Sequence, residues 1–280
     1  MRDIFHPLII VYMSALKVLY ICQEITPYLP ETEMSLTCRQ LPQAIQEKGN
    51  EIRIFMPRYA CVNERRNQLH EVQRLSGMNL IIDDNDHPLI IKVASIQAAR
   101  MQVYFIDNED FFHYKFTVAD ENGKEPENNA ERSIFFARGV LETIKKMRWM
   151  PDVIHCNGWI SALAMLYVKK TFADDPFFKR AKLVYSAYDD AFKQPFGEGV
   201  ATQIVTEGVG PADFAELAPK ADYLSLMRLA ARYADGLVQA SENVQPEVID
   251  IFKESGKPFV VAGSDDNYAA YADFYKSLTE

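Results

Sequence analysis

The sequence predicts an α/β fold built on a doubly wound, mostly parallel Rossmann-like sheet. Short β-branched runs alternate along the chain with segments of helical period, the pattern of parallel strands joined by crossover helices. Most of these runs end in turn residues that lead into a helix. The 280 residues, 48% hydrophobic, suffice for one large core or two small ones but fall short of two full domains of this type.

Taken in order, the expected strands are residues 17–22, 51–56, 89–93, 102–106, 152–155, 182–187, 236–240 and 259–262. Residues 83–87 are polar and read as a hairpin turn between flanking strands. A helix follows residues 30–34, with Ser35 as its cap and with Glu31 and Glu33 suited to its positive N-terminus. The strongest helical pattern covers 130–148, where Ile134, Ala137, Leu141 and Ile144 make an apolar stripe; Asn128 and Glu131 suit a capping arrangement. No internal repeat or low-complexity tract interrupts the series.

Net charge is −9, and the basic pairs Arg65-Arg66, Lys145-Lys146 and Lys169-Lys170 are dispersed, so no nucleic-acid partner is expected. Cys22, Cys38, Cys61 and Cys156 show no paired spacing and fit reduced thiols in a cytoplasmic protein. His6, His70, His87, His113 and His155 fall in different predicted elements without ligand spacing, so neither a metal nor another cofactor is expected. Gly197 to Gly199, with Gly208 and Gly210 following, read as a surface loop rather than a nucleotide fingerprint. The apolar stretch from Ile4 is interrupted by Pro7 and Lys17, so no membrane segment is expected. Because Met13 is a natural opening for such a fold, residues 1–12 read as an extension to a single domain over 13–280.

Specific residues narrow the reading. Gln23-Glu24, Pro27-Tyr28, Leu41-Pro42-Gln43-Ala44, Gly49 and Pro57-Arg58-Tyr59 lie at the spacing of the opening of bacterial glycogen and starch synthases, which the chain resembles from Lys17 to about Ser241. Asp107-Asn108, Asn128 through Glu142, Trp149-x-Pro151-Asp152-Val153-Ile154-His155 and Tyr233-Ala234-Asp235 extend the resemblance. It implies one half of a two-domain (GT-B) glycosyltransferase, and no second domain is legible after Val261.

The same resemblance exposes departures. Where the family carries Lys-Thr-Gly-Gly-Leu at its donor loop, this chain has Pro30-Glu31-Thr32-Glu33-Met34. Glycines and a lysine before a helix cradle phosphate; a proline removes a donor, and two glutamates repel the anion. Where the family has H-x-H-D-W-H, the chain has His155-Cys156-Asn157-Gly158-Trp159-Ile160, so the histidine that assists transfer is replaced by Ile160. Isoleucine neither hydrogen-bonds a sugar nor exchanges a proton. The family's T-[IV]-H-N segment becomes Ser186-Ala187-Tyr188-Asp189, and the acid of its D-N pair becomes Asn128. No catalytic residue is therefore assigned.

At the C-terminal strand ends the matched loops are expected to gather Glu24, Thr26, Tyr28, Glu31, His155, Asn157, Trp159, Ser161, Tyr188, Asp189 and Asp190. Carboxylates, amides and aromatic faces suit hydroxyl-rich rings better than phosphate. Equally, His155 reads as a satisfied buried histidine, Trp159 as a core residue, and Asp189 and Asp190 as a helix cap. The resulting expectation is a noncatalytic relative of the synthases that binds a glucan or small sugar, or else contacts a protein partner or second copy through the face that would meet the missing domain. The alternative is a glucosyltransferase that moves glucose from ADP-glucose to an α-1,4-glucan in glycogen biosynthesis.

Overall fold

A computed structural model describes residues 15–261 and 268–280. The expected extension over 1–12 lies outside them, as does Ala262 at the end of the last predicted strand. The strands are β1 (Lys17–Cys22), β2 (Glu51–Pro57), β3 (His70–Glu71), β4 (Met78–Ile82), β5 (Asn85–Ile96), β6 (Met101–Asp107), β7 (Val153–Asn157), β8 (Lys182–Ala187), β9 (Gly236–Gln239) and β10 (Phe259–Val261). The α-helices are α1 (Glu33–Glu47), α2 (Glu109–Phe112), α3 (Asn129–Met147), α4 (Leu163–Lys169), α5 (Val200–Gln203), α6 (Tyr223–Tyr233), α7 (Pro246–Glu254) and α8 (Ala269–Thr279).

The sheet runs β10-β9-β8-β7-β1-β2-β6-β5-β3, with β4 paired to β5. All neighbours from β10 to β6 are parallel, while β3, β4 and β5 add an antiparallel margin. Between β1 and β7 the winding changes direction, which opens a crevice at the carboxyl ends of the strands. Central strands β1 and β7 are almost wholly buried, as their apolar runs require.

Two local expectations need correction. The cap of α1 is Thr32, whose hydroxyl accepts from the Ser35 N–H; Ser35 answers by accepting from the Thr32 N–H. A threonine hydroxyl at the capping position reaches the free N–H of the first turn, so Ser35 is inside the helix. Asn128 caps α3 by position but not through its side chain, which donates instead to the Asp110 carbonyl; Glu131 accepts from Gln203. The hairpin turn comprises Asp83 and Asp84, both with positive φ, between β4 and β5.

Helix α8 covers the middle of the sheet. An added Cβ on Gly236 would stand 2.6 Å from Phe274 and 2.8 Å from Leu278, so a larger residue would have to push these side chains of α8 away from β9. From α8, Tyr275 reaches His155 and Tyr20 in the central strands.

Candidate functional site

A cleft of about 700 Å³ opens at the carboxyl end of the sheet. Its floor comes from Gln23 and Glu24 after β1, one wall from Tyr188 to Lys193 after β8, and the opposite wall from Thr32 to Met34 at the start of α1. Thr117 and Val118 close the outer side.

The loop carrying Thr117 is held by two buried charges. Arg132 on α3 is wholly buried and donates to the carbonyls of Phe111 at 3.0 Å and Thr117 at 2.7 Å, and to Asn129 at 2.7 Å. Tyr59, Phe112 and Tyr114 surround its guanidinium, and burial lowers its pKa. Buried Glu125 accepts from the N–H groups of Lys193 and Gln194 at 2.8 and 3.0 Å, tying this loop to the one after β8. Neither anchor was expected as a site residue. The available signal was an arginine beside the apolar stripe of a core helix, where an unpaired charge needs carbonyl partners.

The cleft is acidic. Glu24, Glu33, Asp189 and Asp190 line it against a single cation among the lining residues, Lys193. Burial raises the Glu24 pKa, opposed by hydroxyl donors from Thr32 at 2.9 Å and Thr117 at 3.4 Å. Asp190 accepts from the Trp159 N–H and from the Tyr223 hydroxyl, both at 2.8 Å. Burial nevertheless pushes its pKa up to about 7, and the Glu24 charge adds to the shift.

Of the eleven residues expected to form the site, Glu24, Tyr188, Asp189 and Asp190 line the cleft. The others do not. His155 is fully buried, hydrogen-bonded to Tyr275 at 2.6 Å and Ser186 at 2.7 Å, and desolvation pushes its pKa down to about 3. Asn157 lies beneath Tyr188 and accepts its hydroxyl proton at 3.0 Å. Trp159 packs edge-on against Phe192 inside the core, and Ser161 donates to the Gly158 carbonyl. Thr26 is buried beside a cis bond to Pro27, Tyr28 packs edge-on against Phe105, and Glu31 is exposed away from the lining. These positions follow from the strand period and the tight turn after β1, which send alternate side chains into the sheet layers.

At the position of the absent histidine, Ile160 is 1% exposed. Its N–H donates to the Gln23 side chain at 3.3 Å, and its carbonyl accepts from Ser133 at 2.9 Å. Gly158 has φ +84°, and a Cβ there would lie 2.8 Å from Gln23. Gln23 thus fills the space beside Gly158 and pins the turn that carries Ile160.

A sequence profile for the starch synthase catalytic domain matches residues 17–257. The chain belongs to this family. It is 31% identical to the glycogen synthase of Chlorobaculum parvum over 83% of its own length and 47% of the relative's. The glycogen synthase of Chlorobium limicola is 32% identical over the same shares. The chain therefore spans about half the length of the curated relatives it matches. The catalytic domain of starch synthase IV from Arabidopsis thaliana, a structure bound to ADP and acarbose, superposes with a TM-score of 0.71 at 16% identity, covering 89% of this chain and 51% of that one. The fold is thus that of one half of a GT-B glycosyltransferase, and the chain is glycogen synthase-like. Helix α8 lies beyond the matched residues, yet it supplies the buried partner of His155.

Among the described residues no group of three or more metal-ligating side chains is placed to hold a metal ion. No described helix is long and apolar enough to cross a membrane. All four cysteines are free, and Cys61 alone is exposed.

Proposed function

We propose that this family member binds a hydroxyl-rich ligand, a glucan or small sugar, in the acidic cleft without transferring glucose. The observation that carries the reading is the charge of the lining: four carboxylates face one lysine at the place where a nucleotide-sugar donor would need cations. Carboxylates accept from sugar hydroxyls, and the mostly buried rings of Tyr188 and Phe192 back the lining beside them. Glucosyl transfer builds negative charge on a departing phosphate, which this lining opposes. Ile160, buried and held by its main chain, offers no proton and no hydrogen-bonding side chain.

Calorimetric titration with maltoheptaose, run beside ADP-glucose, tests the proposal. Saturable heat with the glucan and none with the nucleotide sugar is the expected outcome; ADP-glucose binding without glucan binding overturns it. The name of the relatives, glycogen synthase, favours a second reading in which the chain transfers glucose from ADP-glucose together with a second chain. Transfer of labelled glucose to glycogen by the purified chain would establish that reading instead. A protein partner or homodimer stays a separate proposal: the exposed large apolar side chains among the described residues are Ile81 of β4, Val261 of β10, and Met150 and Val205 in loops. Sedimentation at high concentration checks it, and a monomer would refute self-association.

A further inference from the structure

At the opposite end of the sheet, remote from the acidic cleft, lies a second and basic pocket of about 200 Å³. It is lined by Arg53 near the start of β2, Tyr104 of β6, Lys146 and Met147 at the end of α3, Trp149, and the Arg74-Leu75 turn before β4. No carboxylate is part of the lining. In a chain of net charge −9, three cationic side chains in so small a concavity stand apart from the surrounding surface.

Two of these cations are held in place and one is free. Arg53 donates to the Ile52 carbonyl at 2.9 Å, pairs with Glu51 at 3.3 Å, and lies over the Trp149 ring at 5.4 Å from its centroid. Lys146 donates to the carbonyls of Leu75 at 3.3 Å and Ser76 at 3.1 Å, which fixes its position and leaves one ammonium proton unused. Glu51 is itself occupied by the Trp149 indole N–H at 2.6 Å. Arg74 forms no side-chain hydrogen bond or ion pair within the described residues and is exposed at the pocket mouth. Counting Arg53, Arg74 and Lys146 against Glu51 leaves two positive charges uncompensated.

We infer that this pocket binds the phosphate of a sugar monophosphate, with Arg53, Arg74 and Lys146 as the phosphate ligands. Arginine forks and a lysine ammonium complement a dianionic phosphate, and prior fixation of two of them lowers the ordering cost of binding. The size limits the ligand. Pockets for drug-sized molecules run from about 300 Å³ upward, so a concavity of about 200 Å³ suits a pentose or hexose monophosphate better than a nucleotide. The remaining lining, Tyr104, Trp149, Leu75 and Met147, is largely apolar and suits the carbon face of a sugar. The inference is independent of what the acidic cleft binds.

The test is calorimetric titration of the full chain with ribose 5-phosphate at low salt, with ribose and inorganic phosphate as comparators. Saturable binding of ribose 5-phosphate is expected, with at least tenfold weaker binding of both comparators. Arg74→Glu, at an exposed and unpaired residue, is expected to weaken it at least tenfold, and Lys146→Gln several-fold. Arg228→Glu, an equal charge change at an exposed position of α6, should leave affinity within twofold. Absence of saturable heat, an equal loss in Arg228→Glu, or inorganic phosphate binding as tightly as the ester would each overturn the inference.

Discussion

Asp190 combines two duties that pull its carboxyl in opposite directions. As an acceptor for Trp159 and Tyr223 it favours the charged form, whereas burial and the nearby Glu24 favour the neutral one, and the balance leaves its pKa near 7. A carboxyl with a folded pKa above its unfolded value binds a proton in the native state first, so the native state gains stability as pH falls from about 7 toward 4. Asp190→Asn removes this titration; urea unfolding should show the variant gaining on the parent as pH rises from 5 to 8. His155 works with the reverse sign. Its folded pKa of about 3 lies below the unfolded value, so its contribution is complete above about pH 6.5 and is lost as pH falls toward 3. Replacement of His155 by Gln is expected to cost stability at pH 7 and to flatten the acid limb of the unfolding profile. Gly158→Ala joins a positive φ to a clash with Gln23 and should cost about 1–3 kcal/mol, measured by the urea midpoint.

Among the elements, those with a strong period were legible from the chain and those fixed by long-range contact were not. The β1 and β8 boundaries coincide with residues 17–22 and 182–187, and α3 begins one residue before its predicted start, because near-continuous apolar runs and a clean stripe leave little choice of register. Of the antiparallel margin, the turn near Asp83 and the 89–93 segment of β5 were legible, whereas β3 was not. Strand β3 is two residues long and exposed, so no period exists to find. The candidate site was legible at its ends and not in its depth. Glu24 and Tyr188 to Asp190 follow strand ends and emerge into the cleft, whereas His155, Asn157 and Ser161 belong to layers whose burial depends on α8 and on packing from distant helices. Tyr275→Phe isolates that dependence: loss of the hydroxyl that contacts His155 and Tyr20 should cost about 1–3 kcal/mol by urea unfolding, with cleft ligands still binding.

For the whole molecule, the two ends of the sheet carry opposite charge. The carboxyl end gathers Glu24, Glu33, Asp189 and Asp190, and the amino end gathers Arg53, Arg74 and Lys146. Anions should accordingly be turned away from the cleft by long-range repulsion that salt weakens. Neutralising the cleft by Glu33→Gln together with Asp189→Asn is expected to raise ADP affinity, read by calorimetry at low salt, while leaving the thermal midpoint within a few degrees because both side chains are exposed.

The seat of α8 has a consequence for how the protein is made. Tyr20, in the first strand, meets Tyr275, a separation of 255 residues, and His155 between them waits on the same hydroxyl. Growing on the ribosome, the nascent chain can pair β1 with β2 and β7 long before the surface over Tyr20 and His155 is sealed. Until α8 is made and docks, that surface stays open to chaperones and proteases.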